Sequence, residues 1–185
     1  MLLETPRLRL RDFDPDRDAP ALYALNLDPE VVRYTGDGPF ESVAATRDFF
    51  AARVAEYARL GMGRWLVELR ATGEPLGWCG LKRLPPSDPR AGEVDLAYRF
   101  FRRHWGHGYA TEASRVCLDY GFGPLGLPKI LIRARAENTA SLNVARKLGA
   151  RQVPEPQVFN GETYIGFVLT PELWRQAQAS GGLGT

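Results

Sequence analysis

Residues 105–113 read Trp105-Gly106-His107-Gly108-Tyr109-Ala110-Thr111-Glu112-Ala113, and their two glycines lie between a strand pattern and a helix pattern. The strand pattern covers Glu93–Phe100, and the helix pattern runs from Gly108 to about Tyr120. Glycines at such a junction let backbone N–H groups approach an anion, and the helix N-terminus adds a favourable potential. The residues therefore indicate a pyrophosphate site, although an ordinary turn before a helix accounts for two glycines equally well.

A nicotinamide-dinucleotide fold is a competing explanation of the glycine pair. That fold needs a third glycine, and Thr111 stands in its place. Its strand is also buried on both faces, whereas the strand here carries Glu93 and Asp95. Both features disfavour the dinucleotide fold.

Patterns of strands and helices alternate along the rest of the chain, separated by Gly and Pro. The predicted strands are Leu8–Arg11, Trp65–Leu69, Leu76–Leu81, Glu93–Phe100, Ile130–Ala136 and a hairpin over Phe159–Leu169. The first predicted helix begins near Asp18 as its N-cap. Further helices are predicted over about Glu41–Leu60, Gly108–Tyr120 and Ala140–Leu148, and a last helix opens at Thr170. We expect a mixed α/β (α+β) architecture in a single domain over residues 1–185.

Composition and charge exclude several classes of protein. Lys and Arg number 24 against 22 Asp and Glu, and this net charge of +2 predicts neither a nucleic-acid partner nor a membrane partner. No apolar run approaches the roughly 20 residues that a membrane span needs. The first residues lack the basic and apolar segments of a secretory leader, so we expect a cytoplasmic location.

The few cysteines and histidines predict no metal site. Cys79 and Cys117 lack metal-ligand spacing, and we expect both to be buried free thiols. His104 and His107 are the only histidines, too few for a typical zinc or haem centre.

A second motif lies at the next strand-to-helix junction, Glu137-Asn138-Thr139-Ala140-Ser141-Leu142-Asn143-Val144-Ala145-Arg146-Lys147-Leu148-Gly149-Ala150. Alone, Asn138 could be a simple helix cap. Together the two motifs resemble the acetyl-CoA-binding motifs of the GNAT superfamily of N-acetyltransferases. Within it the chain is most similar to the RimJ/RimL-like branch, which acetylates ribosomal-protein N-termini and other amines. The likeness extends to Thr5-Pro6-Arg7-Leu8-Arg9-Leu10-Arg11, Asp28–Tyr34, Ala97–Phe100 and Thr163–Trp174.

The resemblance implies a mostly antiparallel sheet that is splayed where acetyl-CoA enters. Backbone groups of Tyr98 and Phe100 would bind the pantetheine arm as an added strand would. The Tyr98 amide would also stabilise negative charge on the thioester oxygen. The remaining implied cofactor-binding residues are Trp105, Gly106, His107, Gly108, Tyr109, Ala110, Asn138 and Asn143, with a surface role an equal alternative for Asn143.

The chain departs from the superfamily pattern at three positions. Trp105 replaces Gln or Arg, which removes one polar cofactor contact, and His107 replaces Lys or Arg. Ala145 stands where many relatives carry a tyrosine general acid, and alanine cannot donate a proton. Ser141 lies one helical turn earlier on the same face and is our candidate acid, with a plain helix-start role as an equal alternative.

An amine acceptor must lose a proton before it attacks a thioester, because its pKa is near ~10.4. Asp95 matches the acidic strand position of the family, and Glu93 lies two residues away on the same face. We expect their mutual repulsion to raise the pKa of one of them, with Glu162 a weaker third candidate. For both strand carboxylates, a side chain that is simply solvated and has no catalytic role is an equal alternative. Arg133 and Arg135 are expected to be solvated rather than to reach the 3′-phosphate of the cofactor.

The resemblance thus implies an acetyl-CoA-dependent N-acetyltransferase that acts by direct attack in a ternary complex and needs no metal. The acceptor would be a primary amine, either a protein N-terminus or a small molecule, and a homodimer is possible. The alternative is a catalytically silent acetyl-CoA-binding module, which the alanine at position 145 favours.

Overall fold

The computed structural model of the chain describes residues 2–35, 39–159 and 161–180. These residues contain nine strands, six α-helices and a 3-10 turn at Arg102–His104. The strands are β1 Leu2–Glu4, β2 Leu8–Arg11, β3 Arg64–Leu69, β4 Pro75–Arg83, β5 Val94–Phe100, β6 Ile130–Arg135, β7 Arg151–Gln152, β8 Gln157–Phe159 and β9 Glu162–Leu169. The helices are α1 Pro15–Leu27, α2 Pro29–Val32, α3 Val43–Leu60, α4 Tyr109–Phe122, α5 Thr139–Lys147 and α6 Pro171–Ala179.

The chain folds into two compact units, the first formed by residues 1–80 and 98–113. Its strands β1 to β4 pair in antiparallel order, each with the next along the chain. Apolar residues alternate with partly exposed arginines in β2, whereas β3 and β4 are buried over most of their length. Together with apolar residues of α1 they form a core that includes Leu8, Leu10, Leu22, Leu25, Trp65 and Leu66. Gly77 has a positive φ of 147°, and a Cβ there would collide with the Arg99 carbonyl, so glycine allows the close approach of these backbones.

The second unit is formed by residues 81–97 and 114–185. Strand β9 lies at its centre and pairs in antiparallel fashion with β6, β7 and β8. β5 pairs with β6 in parallel at one position, Asp95 opposite Leu131, whereas β6 and β9 are paired from Ile130–Leu169 to Arg135–Tyr164. A parallel ladder this short agrees with the predicted splay of the sheet at these strands.

The predicted fold class is confirmed, because the sheet is mixed and mostly antiparallel and helices accompany it. Cys79 and Cys117 are both described by the structure and are buried thiols rather than disulfide partners, as predicted. None of the helices among the described residues is long and apolar enough to cross a bilayer.

The predicted N-cap of the first helix is wrong. Helix α1 begins four residues earlier than that cap implied, at Pro15, and Asp14 caps it by accepting a hydrogen bond from the Arg17 amide. Asp18 is instead buried in the helix, where its carboxylate accepts two hydrogen bonds from Arg11 at 2.7 and 2.8 Å. Burial alone would raise the pKa of Asp18, but hydrogen bonds from Arg11 and the Asp14 amide outweigh it and the pKa is lowered.

We expect Asp18→Asn to lower the free energy of unfolding at pH 7 by about 3 kcal/mol, because Arg11 loses its partner in a buried site. A carboxylate whose pKa is lowered on folding stabilises the protein above its ordinary value of 3.8. The difference between wild type and variant should therefore be full at neutral pH and shrink as the pH falls below that value. Urea unfolding at several pH values measures it. Asp16→Asn, an exposed control in the same helix, should change stability by less than about 0.5 kcal/mol at every pH.

Candidate functional site

The loop between the 3-10 turn and α4 has the backbone geometry of an anion site. Gly106 and Gly108 have φ of 79° and 80°, in the left-handed region that other residues rarely adopt. A Cβ placed on Gly106 would meet no atom within 4 Å, and residues 105–108 are exposed. The loop is therefore open to a ligand, and its conformation requires glycine at both positions.

Helix α4 directs its N-terminal amides into the same loop. The Glu112 amide donates to the Gly108 carbonyl at 3.0 Å and closes the first turn. The amides before Glu112, from Gly108 to Thr111, have no acceptor within the helix, and the helix dipole favours an anion beside them. Exposed donors on an open glycine loop fit the oxygen atoms of a diphosphate, which is the chemistry that acetyl-CoA would present.

One edge of β5 is oriented for an extended ligand. The Phe101 amide donates to the Leu76 carbonyl of β4 at 2.9 Å. Because successive residues of a strand direct their backbone groups to opposite edges, those of Tyr98 and Phe100 face away from β4. The Trp105 indole Nε1 donates to the Phe100 carbonyl at 2.9 Å, so the tryptophan that replaces a polar residue supplies a hydrogen bond to the strand.

Arg7 and Glu112 border the loop, and sequence reasoning assigned neither a role there. Glu112 accepts hydrogen bonds from Thr5 Oγ1 at 2.5 Å and from Arg7 Nε at 2.6 Å. Arg7 also donates to the His107 carbonyl at 3.1 Å and lies 4.7 Å from the centre of the Tyr109 ring. The Tyr109 ring is stacked on His107, with centroids 5.6 Å apart and planes 9° apart. Arg7 and Glu112 stand 105 residues apart, so periodicity and spacing carry no signal of their contact.

Glu93 is ion-paired, and the expected repulsion between the two carboxylates does not raise its pKa. Its carboxylate lies 2.8 Å from Arg90 and 3.2 Å from Lys129. Burial alone would raise the pKa of Glu93, but hydrogen bonds from these two cations outweigh it and hold the pKa below its ordinary value. Glu93 also precedes β5, which begins at Val94.

Asp95 lies in β5 beside Arg133. Arg133 Nε is 3.5 Å from the Asp95 carboxylate, and Arg133 Nη1 donates to both oxygens of Asp88 at 3.0 and 3.2 Å. The Asp88 and Arg133 side chains are 6% and 17% exposed, so this is a largely buried cluster of charges. The expectation of a solvated Arg133 is wrong.

Arg135 and the third carboxylate candidate, Glu162, form an ion pair with each other. Arg135 is also 3.7 Å from Glu137. The expectation of a solvated Arg135 is therefore wrong as well, because β6 and β9 place its side chain against acidic partners.

Helix α5 carries the remaining candidates. Asn138 is its N-cap, and the side-chain oxygen accepts from the Ser141 amide at 3.1 Å, so a cofactor contact would use the Nδ2 donor. Asn143 is exposed and accepts from Arg146 at 2.9 Å. Ala145 is 1% exposed, and Ser141, one turn earlier, is half-buried. The helix thus buries the alanine and leaves the serine hydroxyl nearer its surface.

Comparison with known proteins agrees with this loop, strand and helix arrangement. The model of the acetyltransferase (GNAT) domain family matches residues 7–151, which is most of the chain. A Bacillus subtilis (strain 168) protein, YkkB, is 37% identical over 148 residues, 80% of this chain and 83% of that protein. This chain belongs to the GNAT acetyltransferase family.

Two further relatives illustrate the range of the family. A crystal structure of an acetyltransferase from Agrobacterium tumefaciens is 28% identical with a TM-score of 0.76, over 91% of this chain and 94% of that one. Spermidine N(1)-acetyltransferase of Escherichia coli (strain K12) is 26% identical over 142 residues, 77% of this chain and 72% of that enzyme. The predicted superfamily is thereby confirmed.

The Asp88–Arg133–Asp95 cluster predicts a large effect of neutralising Arg133. Arg133→Gln leaves two carboxylates without their guanidinium, one of them almost fully buried, and should cost about 3 kcal/mol of unfolding free energy. Urea unfolding at pH 7 is the measurement. Lys147→Gln, an exposed control with the same loss of charge, should cost less than about 0.5 kcal/mol. A loss below about 1 kcal/mol for Arg133→Gln would contradict the inferred coupling.

Proposed function

We propose that this protein transfers the acetyl group of acetyl-CoA to a primary amine by direct attack in a ternary complex. The observation that carries the proposal is the pair of left-handed glycines, Gly106 and Gly108, in an open loop at the N-terminus of α4. Such a loop gathers backbone donors for a diphosphate, and the GNAT family to which the chain belongs uses acetyl-CoA.

The residues that would hold acetyl-CoA form groups according to the part of the cofactor that each would contact. Amides of Gly106, His107, Gly108, Tyr109 and Ala110 would bind the diphosphate. Backbone groups of Tyr98 and Phe100 would extend β5 along the pantetheine arm, with the Phe100 carbonyl shared with Trp105. Asn138 and Asn143 would reach the cofactor from α5 and its N-cap.

The chemistry requires a base for the amine and a donor for the thioester oxygen. When bound, acetyl-CoA supplies the activated acyl group. We assign the base to Asp95, acting directly or through water, because it lies within β5, whereas Glu93 precedes that strand and is held between two cations. The Tyr98 amide would stabilise the oxyanion, and Ser141 would protonate the departing thiolate in place of the absent tyrosine.

We also propose a branch of the family, an acceptor class, a cellular location and an oligomeric state. The motif at 105–113 and the segments at 5–11 and 28–34 support the RimJ/RimL-like branch. The relative that acetylates spermidine supports a small amine acceptor, and the branch resemblance supports a protein N-terminus. A cytoplasmic location and a homodimer complete the proposal.

Gly108→Asp should abolish CoA binding, because it places a carboxylate and a Cβ where the diphosphate would lie. We expect calorimetry to show no binding at CoA concentrations that saturate the wild type. Gly73→Asp is the matched control, since Gly73 also has a positive φ, 73°, in open space. Equal affinity in the Gly108 variant and the wild type would contradict the loop assignment.

Asp95→Asn should lower kcat by about 100-fold, since general-base catalysis contributes that much or more. Glu93→Gln should change kcat by less than about threefold, because Arg90 and Lys129 already engage its charge. A pH series from 5 to 10 measures both. Full activity in Asp95→Asn, or equal losses in the two variants, would contradict the assignment.

A catalytically silent acetyl-CoA-binding module is the second candidate, and the buried alanine at position 145 favours it. Release of free thiol from acetyl-CoA, with N-terminal peptides and small amines including spermidine as acceptors, distinguishes the two. Amine-dependent release supports the enzyme. CoA binding without release for any acceptor supports the silent module, and thermal stabilisation by NAD but not by CoA contradicts both.

A further inference from the structure

Glu112 places a negative charge in the first turn of α4, beside the loop proposed for a diphosphate. Its side chain is 16% exposed, so the charge is only partly screened by water. An acidic residue in the first turn stabilises the helix itself, but the same charge repels an anionic ligand at that end. A diphosphate site with this residue needs a compensating cation.

Arg7 is placed to supply that cation. Its Nε and Nη2 both lie 2.6 Å from Oε2 of Glu112, and its backbone amide donates to Oε1 at 3.1 Å. The guanidinium also donates to the His107 carbonyl, covers the Tyr109 ring, and has Nη2 3.5 Å from where a Cβ of Gly108 would stand. One side chain thus neutralises Glu112 and contacts three successive residues of the loop.

We infer that Arg7 is a positioning residue for the cofactor diphosphate. It cancels the Glu112 charge and holds the His107–Tyr109 turn in the geometry that exposes its amides. The inference rests on the proposed function, because it assumes that the loop binds the diphosphate of CoA. The side chain is 49% exposed, so its guanidinium adds positive potential on the solvent side of the loop.

Charge compensation predicts opposite changes in the Kd for CoA when the charge of Arg7 or that of Glu112 is removed. Arg7→Gln leaves Glu112 unneutralised and should raise the Kd for CoA at least tenfold. Glu112→Gln keeps one acceptor oxygen for Thr5 Oγ1 and the Arg7 amide but leaves the positive charge of the Arg7 guanidinium uncompensated, so it should lower the Kd by about threefold. The double variant should recover part of the affinity that Arg7→Gln loses, because the unbalanced charge is gone, and the part not recovered measures the hold of Arg7 on the turn.

Calorimetric titration of the intact protein with CoA and with dephospho-CoA, at low and high salt, measures these effects. The Arg7→Gln loss should be equal for both ligands, which share the diphosphate, and smaller at high salt. Arg9→Gln is the control, because it removes the same charge two residues further along the chain. Arg9 lies in β2 and pairs with Glu4 and Glu68 instead of Glu112. Its Kd should stay within twofold of the wild type.

Several results would overturn the inference. These are an Arg7→Gln Kd within twofold of the wild type, a double variant no better than Arg7→Gln, or a loss confined to CoA, which would indicate the 3′-phosphate. Should Arg7→Gln fail to fold, Glu112→Gln decides alone, since weaker binding in that variant contradicts charge compensation. Wild-type protein that binds neither ligand would refute the proposed function itself.

Discussion

The conformation of two glycines is the constraint on which the candidate site depends. Gly106 and Gly108 both adopt φ near +80°, which costs other residues free energy that glycine does not lose. That conformation turns the chain from the 3-10 segment into α4 within a few residues. The helix consequently begins at Tyr109, and its first amides have no acceptor within the helix.

The carboxylates in and around the candidate site are paired with cations. Glu93 is paired with Arg90 and Lys129, Asp95 lies beside Arg133, and Glu112 is bound by Arg7. A carboxylate paired in this way can serve as a proton acceptor or as a structural anchor. What separates the two roles is position, because Asp95 lies in the strand that would bind the substrate thioester and Glu112 lies in a helix.

Periodicity and capping patterns predicted the fold class, the β5-loop-α4 junction and most strands and helices within a few residues. Short elements such as β1, α2 and β7 were not predicted, because two to four residues carry no period. The first helix illustrates a different difficulty. The sequence predicted Asp18 as the cap, whereas Asp14 caps the helix and two buried hydrogen bonds from Arg11 hold Asp18 inside it.

Most of the electrostatics of the site could not be predicted, because the decisive partners other than Arg90 are distant in the chain. Arg133 reaches Asp88 across 45 residues, and Arg135 reaches Glu162 across 27. Two neighbouring carboxylates therefore suggested repulsion, yet the folded chain brings cations to each. The proposed reaction needs a cation for the anionic cofactor and a carboxylate for the cationic amine, and ion pairs formed by remote segments would supply both without a net charge that would exclude either substrate.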